Sequence, residues 1–277
     1  MSLFIASLNS GSNGNCYYIG NQDEAVLIDG GISCRETERR MKRLGLPMDR
    51  IKAIFVTHEH SDHIYGVSRL SRKYQLPVYI TKSTHQFSKL TLRDDLTIPF
   101  TAYDQIQIGR LTVTAIPKFH DAIEPHSFVV ASDTVKVGVF TDHGQACKNL
   151  INSFKECHAA FLESNYDEVM LDTGRYSLFL KNRIREGRGH LSNTEALELF
   201  MQHRSLQLSH LFLSHLSKEN NSPRLVKEMF DRMADNTAII IAPRNKETRL
   251  YHIRNIDINR NTKRMGERLE LQLSLFE

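Results

Sequence analysis

Apolar residues fall in short runs along the chain, and most runs end at glycine, asparagine or aspartate. Such runs are typical of β-strands that are separated by turns. They predict strands over residues 2–8, 15–19, 25–28, 53–56, 111–116, 127–131, 135–140, 159–162, 211–213 and 238–241. Three further segments have apolar residues at helical spacing, which predicts helices over residues 34–44, 194–203 and 223–234.

The predicted strands come in two clusters, one in each half of the chain, with helices between them. This order favours two facing sheets with helices packed outside, an α/β fold of the αββα sandwich type. We expect one folded domain over residues 1–243. The composition then changes, because residues 244–268 hold eight Lys or Arg against three Asp or Glu. Such a charge run predicts a basic C-terminal tail over residues 244–277.

Overall composition narrows the class of protein. The chain has 277 residues and a formal net charge of +4, which permits a nucleic-acid partner without requiring one. No apolar run approaches the ~20 residues that span a bilayer. Residues 1–10 lack the basic and apolar regions of a secretory signal. The four cysteines are widely spaced, which favours reduced thiols. We therefore expect a cytoplasmic protein.

The segment from His58 to His63 carries the strongest chemical signal. Three histidines and one aspartate fall within six residues, directly after the apolar residues 54–56. Imidazole and carboxylate groups that converge at the end of a strand are typical ligands of zinc and similar metals. Four such groups would be costly to bury without partners, which disfavours simple core packing. The segment therefore predicts a metal site.

The order His-x-His-x-Asp-His in this segment resembles the signature of the metallo-β-lactamase superfamily. This resemblance implies two divalent metal ions, zinc or manganese, each with three ligands of its own and one shared aspartate. The implied ligands are His58, His60 and His120 for the first ion, Asp62, His63 and His215 for the second, and Asp142 as the bridge. Asp29 would orient the metal loop without touching the ions. A bridged pair of ions suits the hydrolysis of phosphodiesters.

Several neighbouring polar residues allow two interpretations. His126 could replace His120 at the first ion, although His120 precedes residues 125–128 as the ligand does in phosphodiesterase members. His143 either supports the site or lies at the surface. The polar loop of residues 9–15 either lies near the metals and contacts substrate, or forms a simple turn.

The stretch of residues 189–193, Gly-His-Leu-Ser-Asn, resembles a segment of superfamily nucleases such as the tRNA 3′-processing enzymes. This implies that His190 is a general acid for the leaving oxygen and that Glu163 is its acidic partner. Asp62 completes the expected catalytic set. A helix cap formed by Ser192 and Glu195 would fit the same stretch and would fix the position of His190. Four basic residues before it could clamp a phosphate backbone or form a solvated face: Lys181, Arg183, Arg185 and Arg188.

Seven motifs spread over residues 1–243 resemble the YycJ family, also called WalJ, of compact bacterial DNases with the metallo-β-lactamase fold. They are SGSNGN, THEHSDH, FHDAIEP, FTDHG, LESNYDEVML, GHLSN and LSHLSKENN. The resemblance implies a metal-dependent exonuclease that degrades DNA from 5′ to 3′ and acts in mismatch repair. Rival hypotheses are an RNA-processing nuclease, a hydrolase of small thioesters or lactones, and a non-catalytic adaptor.

The C-terminal residues resemble the peptide with which bacterial proteins bind the sliding clamp. The matching residues are Gln272, Leu273, Ser274, Leu275 and Phe276. A few such anchors can carry most of an affinity. The alternating leucines of residues 269–275 would also fit a terminal strand that packs on the domain. DNA and, through this peptide, the sliding clamp are the expected partners.

Overall fold

The computed structural model describes residues 2–255, which form two facing β-sheets with helices on their outer sides. This confirms the predicted αββα sandwich. The strands are β1 (Ser2–Asn9), β2 (Cys16–Gly20), β3 (Ala25–Ile28), β4 (Ile51–Phe55), β5 (Val78–Ile80), β6 (Thr97–Pro99), β7 (Gln105–Ile108), β8 (Leu111–Pro117), β9 (His126–Ser132), β10 (Val135–Phe140), β11 (Ala159–Glu163), β12 (His210–Ser214), β13 (Ala238–Ile241) and β14 (Tyr251–Arg254). The helices are α1 (Cys34–Arg43), α2 (Ser61–Ile64), α3 (Val67–Tyr74), α4 (Lys82–Phe87), α5 (Lys148–Phe154), α6 (Glu168–Thr173), α7 (Leu178–Arg185), α8 (Asn193–His203) and α9 (Pro223–Asp231).

Each sheet has seven strands. The first has the order β14-β1-β2-β3-β4-β5-β6, and the second has the order β13-β12-β11-β10-β9-β8-β7. Strands β3 to β6 run parallel in the first sheet, and β10 to β13 run parallel in the second. The carboxyl ends of parallel strands share one edge of a sheet, where functional side chains tend to gather.

The apolar core forms three layers. The inner faces of the two sheets pack together through aromatic residues such as Phe55, Phe128 and Phe161. Helices α1 and α3 cover the first sheet, and α5, α8 and α9 cover the second. Central strands are therefore buried on both faces, which explains why they read as continuous apolar runs in the sequence.

Helix α8 begins at the predicted cap. The Ser192 hydroxyl accepts the backbone N–H of Glu195, and the Glu195 carboxylate accepts the backbone N–H of Ser192. Ser192 also forms a β-bridge with Tyr166. These contacts fix the chain directly after His190.

Strand β14 lies in the part of the chain that the charge pattern assigned to the tail. It pairs antiparallel with β1, and the Thr248 N–H donates to the Ser7 carbonyl oxygen at 2.9 Å. Ile253 is the one buried residue of the strand, so its apolar signal is weak. The folded domain therefore extends beyond residue 243. Residues 256–277, with the clamp-like peptide, lie outside the described residues.

Short elements account for most other differences from the predicted pattern. The pattern does not predict β5 to β7 or α2 to α7, which have three to eight residues each. Helix α7, for example, has no buried residue and therefore no apolar stripe. All four cysteines are free. No helix within residues 2–255 is long and apolar enough to cross a membrane.

Candidate active site

Three histidine side chains meet beyond the ends of β4 and β8. His58 Nε2 lies 3.1 Å from His60 Nδ1, and His60 Nδ1 lies 3.4 Å from His120 Nε2. All three ligand atoms lie within 4.8 Å of one another. The structure thus brings together the residues that the resemblance assigns to the first ion, and we call them the first cluster.

A second cluster, Asp62, His63 and His215, lies beside the first. Asp62 Oδ2 lies 3.5 Å from His63 Nε2 and 3.6 Å from His215 Nε2. Asp142 lies between the clusters, because its Oδ2 is 3.1 Å from His63 Nε2 and its Oδ1 is 3.9 Å from His120 Nε2. This is the position that a bridging carboxylate requires.

These separations fit divalent metal ions. A tetrahedral ion with ligands at about 2.0–2.1 Å holds neighbouring ligand atoms about 3.3 Å apart. Within the two clusters the measured separations are 3.1–3.6 Å. One buried ligand atom, His215 Nε2, also has no hydrogen-bond partner among the described residues. Buried polar atoms normally have partners, so this donor set fits bound metal.

Four of the clustered imidazoles are held through one ring nitrogen by a neighbouring oxygen atom. The holding atoms are Thr57 Oγ1 for His58 at 2.8 Å, Asp29 Oδ2 for His63 at 2.7 Å, the Gly189 carbonyl oxygen for His120 at 3.0 Å, and Glu163 Oε1 for His215 at 2.9 Å. An imidazole that donates through one nitrogen presents a lone pair on the other. These contacts therefore orient the rings for ligation.

Asp29 anchors the metal loop, as the resemblance implies. Besides His63, its carboxylate accepts the Thr57 N–H at 2.8 Å and the Thr57 O–H at 2.9 Å. Asp29 also has the same unusual backbone conformation as two of the proposed ligands. The angle φ is 61° at Asp29, 56° at Asp142 and 55° at His215. This left-handed conformation costs a non-glycine residue about 1–2 kcal/mol. Strain of this kind gathers at functional sites.

Glu163 and His190 form a pair beside both clusters. His190 Nδ1 lies 2.8 Å from Glu163 Oε1. Glu163 is fully buried, whereas the His190 side chain is 22% exposed. The same Glu163 oxygen holds His215, and Glu163 Oε2 accepts the backbone N–H of His143 at 2.8 Å. The motifs assign Glu163 to His190 alone, whereas the structure shows that one carboxylate holds the candidate acid and a member of the second cluster.

The clusters open into a cleft with a cavity volume of about 320 Å³. Its walls include residues to which the sequence analysis assigns no role: Asp121, Asn165, Tyr176, Leu180 and Ser217. Asp121 Oδ1 lies 3.3 Å from His120 Nε2, and Asp121 Oδ2 accepts Arg183 Nε–H at 2.6 Å. The position of Asp121 directly after His120 is the sequence feature that pointed to Asp121.

Lys118 is a second unforeseen residue at the site. It is buried, and its ammonium donates to the carbonyl oxygen of Thr141 at 2.7 Å, directly before Asp142. Burial lowers the pKa of Lys118, and the Asp142 carboxylate opposes that shift. Lys118 thus supports the strained backbone that carries the bridging carboxylate.

The polar loop of residues 9–15 lies at the clusters. Asn15 Nδ2 is 3.2 Å from Asp62 Oδ2 and 3.0 Å from His63 Nε2. The Ser10 hydroxyl accepts the backbone N–H of His215 at 2.8 Å. Of the two interpretations of this loop, the structure favours the one that places it near the candidate ligands.

The two other histidines in question lie apart from the ligand atoms. His126 Nδ1 is 2.9 Å from the Glu124 carbonyl oxygen, and its ring packs edge-on against Phe100. The geometry therefore favours His120 at the first cluster. His143 is buried, and its Nε2 lies 2.8 Å from Ser127 Oγ. Through its backbone bond to Glu163, His143 supports the site and does not lie at the surface.

Comparison with known proteins identifies the family. The metallo-beta-lactamase superfamily model matches residues 10–146. Exodeoxyribonuclease YycJ of Bacillus anthracis is 34% identical over 230 residues, which cover 82% of this chain and 87% of the relative. Exodeoxyribonuclease WalJ of Streptococcus pneumoniae is 30% identical over 223 residues, which cover 79% and 83%. The chain belongs to the YycJ/WalJ family.

A solved structure agrees with the fold of this YycJ/WalJ-family chain. The metallo-beta-lactamase fold protein YhfI from Bacillus subtilis aligns with a TM-score of 0.68 at 17% identity, over 89% of this chain and 99% of that chain. The fold of the YycJ/WalJ-family member is thus the metallo-β-lactamase fold, and the chain is an enzyme of this hydrolase superfamily.

In this family member, the four basic residues that precede His190 in the sequence form mostly a solvated face. Arg183 lines the cleft, but Asp121 pairs with it. Arg185 pairs with Asp172 at 2.6 Å, and Lys181 donates to the Asp172 carbonyl oxygen at 2.7 Å. Arg183 is therefore the residue of this run that can meet a substrate in the cleft.

In the first cluster, the imidazoles of His58 and His120 are neutral when no metal is bound. Burial lowers the pKa of His58 well below its usual value, and the positive charge of His63 adds to this shift. Burial likewise lowers the pKa of His120 to about 3. Lone pairs for a metal are therefore available at neutral pH.

The second cluster differs, because carboxylates surround it. Burial alone would lower the pKa of His63, but Asp142, Asp29 and Asp62 together raise it well above its usual value. Burial also opposes the shift at His215, where Asp142 and then Asp62 help to raise the pKa to about 10. A metal must therefore displace protons from His63 and His215 but not from His58 and His120.

Proposed function

We propose that this chain is a metal-dependent phosphodiesterase that removes nucleotides from the 5′ end of DNA. The proposed ligands are His58, His60 and His120 for the first ion, Asp62, His63 and His215 for the second, and Asp142 for both. When bound, such a pair of ions activates water and neutralises charge on the phosphate oxygens. The mixture of imidazole and carboxylate donors supports zinc or manganese.

The pair of His190 and Glu163 is the observation that carries the proposal. Burial alone would raise the pKa of Glu163, but His190 and His215 outweigh it and lower the pKa to about 2. The ionised carboxylate accepts a hydrogen bond from His190 Nδ1 at 2.8 Å, which leaves Nε2 as the nitrogen that can protonate a leaving oxygen. His190 lines the cleft together with Asp62 and Asp142. A general acid for phosphodiester cleavage belongs in this position.

Two observations support DNA as the substrate. Two relatives that align with most of the chain are named exodeoxyribonucleases. The cleft walls also present Arg183 and the hydroxyls of Ser12 and Ser217, which are groups that bind phosphate backbones. The 5′-to-3′ direction, a role in mismatch repair and a cytoplasmic location are parts of the same proposal, and the family resemblance supports them.

Digestion of 5′-labelled and 3′-labelled duplex DNA, and of matching RNA, with Mn²⁺ or Zn²⁺ tests the proposal. We expect wild type to release nucleotides from the 5′ end of DNA. Asp62→Ala and His63→Ala should abolish cleavage because each removes a ligand of the second ion. His252→Ala, an exposed histidine on β14, should retain it. Cleavage of RNA alone would favour the RNA-processing hypothesis. No cleavage of either polymer by metal-loaded protein would refute the proposal and favour thioester or lactone substrates.

We also propose that residues 272–276 bind the sliding clamp. Sequence resemblance supports this, and the peptide lies outside the described residues. Removal of residues 272–277 should leave the cleavage of free DNA unchanged and weaken retention of the protein on immobilised clamp. Undiminished retention would refute the proposal.

A further inference from the structure

Arg244 follows β13, and its guanidinium lies between the loop after β1 and the loop after β12. Its Nη1 donates to the Leu216 carbonyl oxygen at 2.8 Å, and its Nη2 donates to the Ser12 hydroxyl at 3.2 Å. Asn13 Nδ2 in turn donates to the Arg244 carbonyl oxygen at 2.7 Å. The side chain lies so close to Gly11 that a Cβ there would approach Nη1 to 2.5 Å. Glycine at position 11 therefore makes room for this guanidinium.

No carboxylate neutralises Arg244 among the residues that the structure describes. Other arginines in or near this region have such partners: Arg183 pairs with Asp121, Arg185 with Asp172 and Arg43 with Glu247. Arg244 is bound by a carbonyl and a hydroxyl, and Tyr176, Asp62 and Glu219 act on it only through space. A guanidinium has five N–H donors, so most of its donors and its charge remain free for a ligand.

The surroundings of Arg244 belong to the cleft. Ser12, to which it donates, lines the cleft with Asp62 and His215. Leu216, its other acceptor, is flanked by His215 and by Ser217, which also lines the cleft. The guanidinium therefore lies next to residues that line the cleft. The loops after β1 and β12 hold it there, so it is placed before substrate arrives.

We propose that Arg244, together with the Ser12 hydroxyl, binds a phosphate of the substrate strand next to the phosphate that is cut. A half-buried guanidinium without a carboxylate partner matches a phosphate group, which it can bind with two parallel hydrogen bonds. This subsite rests on the proposed nuclease function, since a polynucleotide presents a second phosphate one nucleotide from the one that is cut. The ligand is either the terminal 5′-phosphate or an internal phosphate one nucleotide away.

Binding of 3′-labelled hexanucleotides to metal-loaded protein tests the subsite. The probes carry a 5′-phosphate or a 5′-hydroxyl and have phosphorothioate linkages that slow cleavage. The variants are Arg244→Gln, Arg244→Lys and the control Arg43→Gln, which removes a contact that holds the same segment through Glu247. We expect Arg244→Gln to raise the Kd about 10-fold to 100-fold, as for a lost charge-assisted hydrogen bond. Arg244→Lys should restore part of the affinity, and Arg43→Gln should stay within twofold.

Two further readouts separate phosphate binding from a structural role. The slope of log Kd against log salt concentration should be smaller by about 0.7 in Arg244→Gln. This is the change expected for one lost phosphate contact to single-stranded DNA. Hydrolysis of bis(p-nitrophenyl) phosphate, which has a single phosphate, should stay within twofold of wild type. Metal content should not change.

Each outcome has a distinct meaning. An effect limited to the 5′-phosphorylated probe identifies the terminal phosphate, and an equal effect on both probes identifies an internal one. Unchanged binding of both probes would overturn the subsite, and so would a parallel loss of bis(p-nitrophenyl) phosphate hydrolysis and metal. If wild type binds both probes in an Arg244-dependent way but cleaves no DNA, the nuclease proposal fails and the subsite stands.

Discussion

Replacing Glu163 by glutamine should damage the proposed acid and the second metal site together. Four N–H groups face this carboxylate: those of the His190 and His215 rings and the backbone N–H groups of His143 and Leu191. An amide has one accepting end and one donating end. In Glu163→Gln the donating end must face two N–H groups, whichever way the side chain turns.

The size of the effect follows from what each ring loses. If the amide N–H₂ faces the rings, both imidazoles must carry hydrogen on Nε2, and His215 then has no lone pair for a metal. Loss of such a supporting contact typically weakens metal binding about 10-fold to 100-fold. Loss of an oriented general acid slows cleavage by ~10²–10⁴-fold. The lowering of the Glu163 pKa from 4.5 to about 2 also corresponds to roughly 3 kcal/mol of folding stability at neutral pH.

Three assays measure these effects separately. Metal titration reports the affinity of the second ion, and cleavage at saturating metal reports the acid. Denaturant unfolding of metal-free protein at several pH values reports stability. Because the folded-state pKa of Glu163 is lowered, its contribution is complete above pH 4.5 and disappears as the pH falls towards 2. The difference between wild type and Glu163→Gln should therefore shrink over that interval.

A neighbouring carboxylate serves as the control. Glu195 is exposed and completes the cap of α8, and glutamine can form the same cap. Glu195→Gln should keep wild-type metal affinity and cleavage. The reasoning about Glu163 is refuted if Glu163→Gln keeps both as well, or if its stability deficit is the same at pH 3 as at pH 7.

Other predictions concern the same site. His190→Ala should slow cleavage by ~10²–10⁴-fold with both metals retained, and an unchanged rate would remove His190 from the mechanism. Metal binding near pH 7 should release protons from His63 and His215, so the affinity for the second ion should rise with pH. Calorimetry in buffers of different ionisation enthalpy measures the number of protons released. A binding enthalpy that is the same in every buffer would contradict the prediction. Asp29→Asn should weaken metal binding about 10-fold to 100-fold, as metal titration would show, because the amide has one accepting oxygen and cannot accept from both the Thr57 backbone N–H and His63 as the two carboxylate oxygens do.

The sequence is sufficient to predict the αββα architecture and the residues that converge at its edge. Apolar runs mark the central strands because these strands are buried on both faces. His58, His60, Asp62 and His63 are close in sequence, so their chemistry is visible before folding. His120, Asp142 and His215 are distant in sequence, and the family resemblance was needed to connect them.

Residues that act through tertiary contacts were harder to predict. Arg244 looks like the start of a basic tail, and its place beside the cleft depends on contacts with Ser12 and Leu216, which are distant in sequence. Polar residues in a glycine-rich loop have the same composition in a turn as in a site, so the role of Asn15 and Ser10 depends on their contacts. Glu163 has two imidazole partners, a relation that no local pattern encodes.

The left-handed backbone of Asp29, Asp142 and His215 has a consequence for protein engineering and for evolution. Glycine adopts this conformation without strain, but glycine at Asp29 would leave Thr57 and His63 without their buried acceptor. The same change would delete a group that binds or orients the proposed ions. Relief of backbone strain and loss of buried contacts therefore oppose each other at these positions, and a library screened for thermostability should retain a metal-dependent activity screen in parallel.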